Sequence, residues 1–195
     1  MNLANKLTII RIILVPIFLL FIALKVSYGT YIATFIFILA SLTDKLDGYI
    51  ARSRNQITTF GKFMDPLADK LLVTSALISL VELHIIPGWA AVIIIAREFA
   101  VSGLRTIAAA EGVVIAASWW GKIKTVIQII AIIALLLEVN INNSDVLLDA
   151  FVKNQFLNYV YVYLPDILLY MAVAITIISG ADYFRKNKNA INTNK

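Results

Sequence analysis

Four aspartates form the part of this sequence best suited to chemistry. Asp44 and Asp47 are three residues apart, and Asp65 and Asp69 are four apart, so each pair lies on one face of a helix. A short connection between the pairs lets the two faces converge. Four converging carboxylates repel one another, and their oxygen-only ligand set suits hard divalent cations such as Mg²⁺ or Mn²⁺. Two such ions would balance the four charges, in the arrangement that clamps attacking and leaving oxygens during phosphoryl transfer.

A simpler explanation is that neighbouring cations neutralise the aspartates in interfacial ion pairs. The candidate counter-charges are Lys45, Arg52, Lys62 and Lys70. This explanation suffices for a single aspartate near a membrane edge. Four aspartates in facing pairs favour metal binding instead, and the absence of cysteine excludes thiolate ligands.

The residues between the aspartates suit a phosphate-bearing nucleotide. Gly48 and Ala51 leave the helix surface beside the carboxylates bare, so a flat or bulky ligand can approach closely. Arg52 offers a planar fork for a phosphate, and Gly61 opens the backbone near Asp65. Close packing between membrane helices is the competing explanation for the two small residues.

The elements that must position these residues are membrane-spanning helices. The chain has 195 residues, of which 61% are hydrophobic and 15% are charged, a composition typical of a membrane protein. We predict an all-α, polytopic fold with one domain over residues 1–195, a basic tail at 183–195 and a short interfacial helix within 140–158. Long apolar windows predict six transmembrane helices, near 6–25, 30–52, 62–82, 88–110, 121–139 and 159–182.

Basic residues predict the orientation. With both termini on one side, 15 of the 17 Lys and Arg residues fall on that side or in its half of a span, and only Lys25 and Lys153 fall opposite. This excess predicts that both termini and the aspartates are cytoplasmic. The net charge of +5 suits anionic lipid or anionic substrates. The basic residues are spread over helix ends at membrane depth, which argues against nucleic acid as a partner.

Eight residues at fixed spacing resemble the signature of the CDP-alcohol phosphotransferases, a family of membrane enzymes. They are Asp44, Asp47, Gly48, Ala51, Arg52, Gly61, Asp65 and Asp69. Three further segments resemble the bacterial phosphatidylglycerophosphate synthase branch of that family: "NLANKLTIIRIILVPIF", "AREFAVSGLR" and "WWGKIKTVIQ". The resemblance runs from Asn5 to about Gln128.

The resemblance implies a function and a set of roles. The donor would be CDP-diacylglycerol, the acceptor glycerol 3-phosphate, and the enzyme a homodimer in the bacterial plasma membrane. By analogy, the four aspartates hold two divalent cations, Gly48, Ala51, Arg52 and Gly61 form the cytidine diphosphate site, and Asp69 is also the general base. A carboxylate beside a metal-bound alcohol is chemically suited to that last role.

An anionic acceptor needs cations, and the candidates are Arg105, Lys122 and Lys124, where the fourth predicted span ends and the fifth begins. Arg97 either takes part or forms a structural pair with Glu98. Asn5, Thr8 and Arg11 put a polar stripe on the first span. We predict that Asn5 and Thr8 complete the nucleotide pocket and that Arg11 is a fourth cation for the acceptor phosphate. Interfacial anchoring is the alternative for this stripe.

Three alternatives compete with this function. A related phosphotransferase would use another acceptor, such as inositol phosphate or serine. A cation transporter would distribute acidic residues through the depth of the bilayer, whereas here they cluster at one face. A membrane prenyltransferase would carry a second aspartate-rich motif, and the sequence has only one.

Overall fold

The computed structural model of the protein describes residues 3–24, 26, 28–53, 59–110, 112, 115–116 and 118–187. Within these ranges it describes no side chains for residues 3–4, 44–53, 59–60, 62–63 and 110. The described chain contains seven helices: α1 Leu3–Ala23, α2 Gly29–Ser53, α3 Thr59–Glu82, α4 Gly88–Ala110, α5 Trp119–Asn142, α6 Asp145–Lys153 and α7 Gln155–Lys186. This confirms the all-α prediction. Six of the helices match the predicted spans, and α6 is the short helix predicted within 140–158.

Three helices are long and apolar enough to cross a membrane by length and composition, within the described residues. They are Asn5–Ala23, Trp119–Asn142 and Gln155–Lys186. The apolar part of α2, Gly29–Thr43, is shorter, and α3 and α4 carry several charged residues along their length. The chain is therefore an all-α polytopic membrane protein, and a count of six spans stays a prediction. Helix α7 ends at Lys186, inside the segment predicted as a tail.

The main apolar core fills most of the bundle, and polar residues gather at one end of it. Helix α1 packs on α2 and α3, while α7 packs on α4 and α5. The fully buried core side chains include Phe18, Phe37, Leu72, Leu77, Leu80, Ile94, Ile132, Leu135 and Leu136. A second, smaller cluster of Val101, Leu104 and Tyr183 lies where α4 and α7 end. The functional residues lie on the side of this second cluster.

A backbone cap closes the turn between α3 and α4. His84 adopts a left-handed conformation with φ of 59°. Its N–H donates to the carbonyl of Val81 at 3.0 Å, and the N–H of Ile85 donates to Leu80 at 2.9 Å. These two bonds are the Schellman arrangement that satisfies the last carbonyls of a helix, usually with glycine at the left-handed position. The only histidine in the sequence therefore has a conformational role, on the opposite side from the aspartates.

Candidate active site at the charged end of the bundle

The polar stripe of α1 contacts the two aspartates of α3. Asn5, Thr8 and Arg11 are buried, because their spacing turns all three toward the interior of the bundle. The Thr8 hydroxyl donates a hydrogen bond of 2.5 Å to Asp65 Oδ1. Arg11 Nη1 lies 3.9 Å from Asp69 Oδ1. The stripe therefore orients the carboxylates of α3, and Arg11 lies between the two helices rather than beside an open cavity.

The described half of the predicted metal site is a pair of carboxylates, Asp65 and Asp69, one turn apart on α3. Both offer oxygen donors, and the Asp69 side chain is 44% exposed, which leaves room for a ligand. Their chemistry therefore fits a hard divalent cation. Among the described side chains, no three Asp, Glu, His or Cys residues lie close enough together to hold a metal ion.

The other half of the predicted site lies on the last two turns of α2, whose backbone is described. The side chains of several predicted metal, nucleotide and counter-charge residues lie outside the described part of the structure, namely Asp44, Lys45, Asp47, Gly48, Ala51, Arg52 and Lys62. Gly61 is described and is buried in the first turn of α3. The roles predicted for these residues stay predictions.

Next to Asp69, a cavity of about 260 Å³ opens between α3, α4, α5 and α7. Its described lining consists of Pro66, Asp69, Lys70, Arg97, Glu98, Val101, Ser102, Arg105, Ser118, Gly121, Lys122, Thr125 and Tyr183. Four of these residues are cations and two are carboxylates. The cavity therefore carries an excess of positive charge and suits a small anion such as a phosphate monoester.

Arg105 is fixed in this larger cavity by the last helix. Its Nε donates to the Tyr183 hydroxyl at 2.8 Å, and its guanidinium carbon lies 5.4 Å from the centre of the Tyr183 ring. Tyr183 is only 2% exposed, so it gives the exposed Arg105 a buried partner. This bond uses one of the five donors of the guanidinium, whose planar fork is suited to a phosphate.

The first turn of α5 also lines the larger cavity. Ser118 caps the helix, and its hydroxyl accepts a hydrogen bond of 3.0 Å from the N–H of Gly121. Lys122 follows on the same turn and lines the cavity. A helix N-terminus favours anions through its dipole, which adds to the effect of the lysine.

The side chain of Arg97 extends from α4 to α7 and lines the larger cavity. It donates to the Ser179 hydroxyl, and its Nη1 lies 3.9 Å from Glu98 Oε1. A Cβ at Gly180 would lie 3.2 Å from Arg97 Cγ, so the glycine makes room for the arginine stem. Arg97 therefore contacts Glu98 and also lines the cavity, and its part in binding the acceptor stays a prediction.

Lys124 is ion-paired with Glu98 and is only 1% exposed. It faces a smaller cavity of about 40 Å³ instead of the larger one. Of the four predicted acceptor-binding cations, Arg105 and Lys122 therefore line the larger cavity. Lys124 and Arg11 lie behind it, each beside a carboxylate.

Sequence reasoning missed several residues of the larger cavity. Ser118 had a local signal, because a serine directly before the apolar run of α5 is a typical helix cap. Tyr183 had none, and neither did Ser179, which contacts Arg97 behind the cavity. They meet Arg105 and Arg97 across a separation of about 80 residues, and only the packing of α7 against α4 brings them together.

Comparison with known proteins identifies the family. The family model described as CDP-alcohol phosphatidyltransferase matches residues 1–178. The chain belongs to this family. Membership confirms the resemblance found in the sequence, and it argues against the transporter and prenyltransferase alternatives.

Curated relatives match this chain, two of them over nearly its whole length. The chain is 44% identical to the CDP-diacylglycerol--glycerol-3-phosphate 3-phosphatidyltransferase of Bacillus subtilis (strain 168), over 98% of both chains. It is 39% identical to the protein of the same name from Haemophilus influenzae, over 97% of this chain and 95% of that one. It is also 46% identical to a probable phosphatidylglycerophosphate synthase of Mycobacterium tuberculosis (strain H37Rv), over 67% of this chain and 64% of that one.

Proposed function

We propose that the protein transfers the phosphatidyl group of CDP-diacylglycerol to glycerol 3-phosphate, giving phosphatidylglycerophosphate and CMP. Its curated relatives carry the name of this activity over nearly the full length of the chain. The structural observation that carries the proposal is the larger cavity, where cations from three helices surround a space beside Asp69. An acceptor with its own phosphate needs such a cavity, whereas a neutral alcohol does not.

The acceptor phosphate would bind to Arg105, Lys122 and Arg97. Arg105 is held by Tyr183 and Arg97 by Ser179, so the two guanidinium groups need little reordering when the phosphate binds. The cap of α5 adds backbone N–H groups on the same side. Binding the phosphate in this way places the far end of the acceptor toward α3.

Asp69 would be the general base. It lines the larger cavity, is partly exposed, and lies 3.9 Å from the buried Arg11, which limits its movement. A carboxylate in this position takes the proton from the acceptor hydroxyl as that oxygen attacks the β-phosphorus of the donor. The bond from that phosphorus to the CMP oxygen then breaks, and CMP leaves with the bonding electrons.

Asp44, Asp47, Asp65 and Asp69 would together hold two divalent cations, Mg²⁺ or Mn²⁺. When bound, these ions would supply positive charge to the diphosphate and lower the pKa of the attacking hydroxyl. The hydrogen bond from Thr8 fixes one oxygen of Asp65 and leaves the other for a cation. Arg11 holds Asp69 in a similar way, from the side of α1.

The cytidine diphosphate would lie on the α2 side of the aspartates, against Gly48, Ala51, Arg52 and Gly61. Asn5 and Thr8 would close this site from α1, because they are buried on the face of α1 that meets α3. The diacylglycerol chains would extend into the surrounding lipid.

The active site would face the cytoplasm of a bacterial cell, at the plasma membrane. The excess of Lys and Arg at this end of the bundle supports that orientation. Both termini would lie on the same side. The homodimer stays a prediction of the family resemblance.

The purified protein in lipid nanodiscs provides the test. With CDP-diacylglycerol and Mg²⁺ or Mn²⁺, it should release CMP when glycerol 3-phosphate is added. Release of CMP only with inositol phosphate or serine would show that glycerol 3-phosphate is not the acceptor. No release with any of the three acceptors would contradict the proposed function.

A further inference from the structure

The smaller cavity shares a wall with the larger one. Four residues line both: Asp69, Lys70, Glu98 and Thr125. Val73, Lys124, Gln128 and Ile129 complete the described lining of the smaller cavity. We call it the Gln128 recess. Its volume of about 40 Å³ suits one to a few water-sized groups, too small for a phosphate but large enough for a hydroxyl.

The Gln128 recess contains an acceptor atom without a donor. Gln128 is 2% exposed, and its Oε1 has no hydrogen-bond partner among the described residues. A buried carbonyl oxygen left in this state destabilises a protein unless something else supplies the hydrogen bond. Lys124 and Glu98, beside it, are paired with each other. The recess is therefore suited to a small group that donates a hydrogen bond.

We propose, on the basis of the proposed function, that the Gln128 recess binds the secondary hydroxyl of glycerol 3-phosphate and makes the enzyme specific for it. The position of Asp69 supports this. Asp69 lines both cavities. When the terminal hydroxyl of glycerol 3-phosphate lies beside Asp69 and its phosphate lies in the larger cavity, the middle carbon lies along the wall that the two cavities share. The hydroxyl on that carbon lies next to the recess.

In this position the secondary hydroxyl donates to Gln128 Oε1 and accepts from the Lys124 ammonium group. Lys124 keeps its ion pair with Glu98 when an acceptor lacks that hydroxyl, but Gln128 Oε1 is left buried without a donor. An unpaired buried group of this kind is an effective way for a site to reject an analogue. The larger cavity then recognises the charge of the acceptor, and the recess recognises its polyol character. Gln128 thereby acts as a specificity-determining residue.

The test compares two acceptors that differ by one hydroxyl, glycerol 3-phosphate and 3-hydroxypropyl phosphate. The full-length protein in nanodiscs should prefer glycerol 3-phosphate by about 100-fold in kcat/KM, the effect of one buried acceptor left without a donor. Gln128→Met keeps the volume of the side chain but removes the acceptor oxygen. It should reduce the preference to less than about 10-fold, through a loss on glycerol 3-phosphate alone. Val73→Ile, which narrows the recess, should shift the preference in the same direction.

Asn140→Leu is the matched control. Asn140 is a second buried amide on α5 whose Oδ1 has no partner among the described residues, but it lies at the other end of the helix, away from both cavities. This variant should keep the preference of the unmodified protein.

An equal loss on both acceptors in Gln128→Met would mean that the recess holds only water or supports the fold, and it would overturn the inference. Equal use of both acceptors by the unmodified protein would overturn it as well. Absence of CMP release with either acceptor would instead contradict the proposed function, and the inference with it.

Discussion

Polar residues have different surroundings at the two ends of the bundle. At the charged end, defined by Asp65, Asp69, Arg97, Arg105 and Lys122, charged side chains surround two neighbouring cavities that share a wall. At the opposite end, polar groups bond directly to one another. The Asn140 side-chain amide donates to the Thr34 hydroxyl at 2.9 Å, and the Tyr31 hydroxyl donates to the backbone carbonyl of Asn140 at 2.9 Å.

The comparison distinguishes polar residues that stabilise the fold from polar residues that can bind a ligand. Hydrogen bonds between α2 and α5 at the opposite end stabilise the packing and leave little for a ligand. A cavity of about 160 Å³ does lie at that end, but its described lining is apolar apart from Glu138 and Tyr161, and it contains no cation. Within the described chain, only the charged end combines cations, carboxylates and a cavity. Substitutions at the charged end should therefore change catalysis. Substitutions at the opposite end should change stability.

The largest effect is expected from Asp69→Asn, at the charged end. The amide cannot take the acceptor proton, so turnover should fall by about 1000-fold or more. Binding of cytidine nucleotide, measured by isothermal titration, should remain detectable because the predicted nucleotide residues are unchanged. Near-normal turnover in this variant would show that Asp69 is not the base.

A smaller effect is expected from Gly180→Ala, which tests how the charged end is supported. The new Cβ would meet Arg97 Cγ at 3.2 Å, so the arginine must shift by a few tenths of an ångström. We expect the KM for glycerol 3-phosphate to rise by about 3- to 10-fold with little change in kcat. Gly103→Ala is the control, because a Cβ there meets nothing within 4 Å. Equal kinetics in the two variants would mean that Arg97 does not depend on Gly180.

The smallest effect is expected from His84→Gly, in the turn at the opposite end. Glycine adopts the left-handed conformation without the steric cost that histidine pays at φ of 59°. The free energy of unfolding should rise by about 0.5–1 kcal/mol, measured by denaturation in detergent, and turnover should not change. A loss of activity would contradict the separation of roles between the two ends.

The sequence predicted most of the fold because the bilayer imposes a simple pattern. Apolar windows of about 20 residues, broken by "KVSYG" and "LHIIPGW", place all six long helices within a few residues of their observed bounds. The aspartate motif identified the family through resemblance, because its eight residues stand at fixed spacing.

The cavities were less predictable, because long-range packing forms them. Lys122 and Lys124 look equivalent in the sequence, yet the turn of α5 directs one into the larger cavity and buries the other against Glu98. Tyr183 lies on a helix whose sequence shows no chemical motif. The recess beside Gln128 depends on how α3, α4 and α5 meet, and no local pattern indicates it.

Arg105→Ala separates binding of the acceptor phosphate in the larger cavity from binding of the donor. We predict that the KM for glycerol 3-phosphate rises by about 100-fold, because a charged contact to phosphate is lost, while the KM for CDP-diacylglycerol stays within about 2-fold. Arg185→Ala, an exposed arginine near the end of α7 that does not line the larger cavity, should leave both values unchanged. An unchanged KM for glycerol 3-phosphate in Arg105→Ala would contradict the role assigned to the larger cavity.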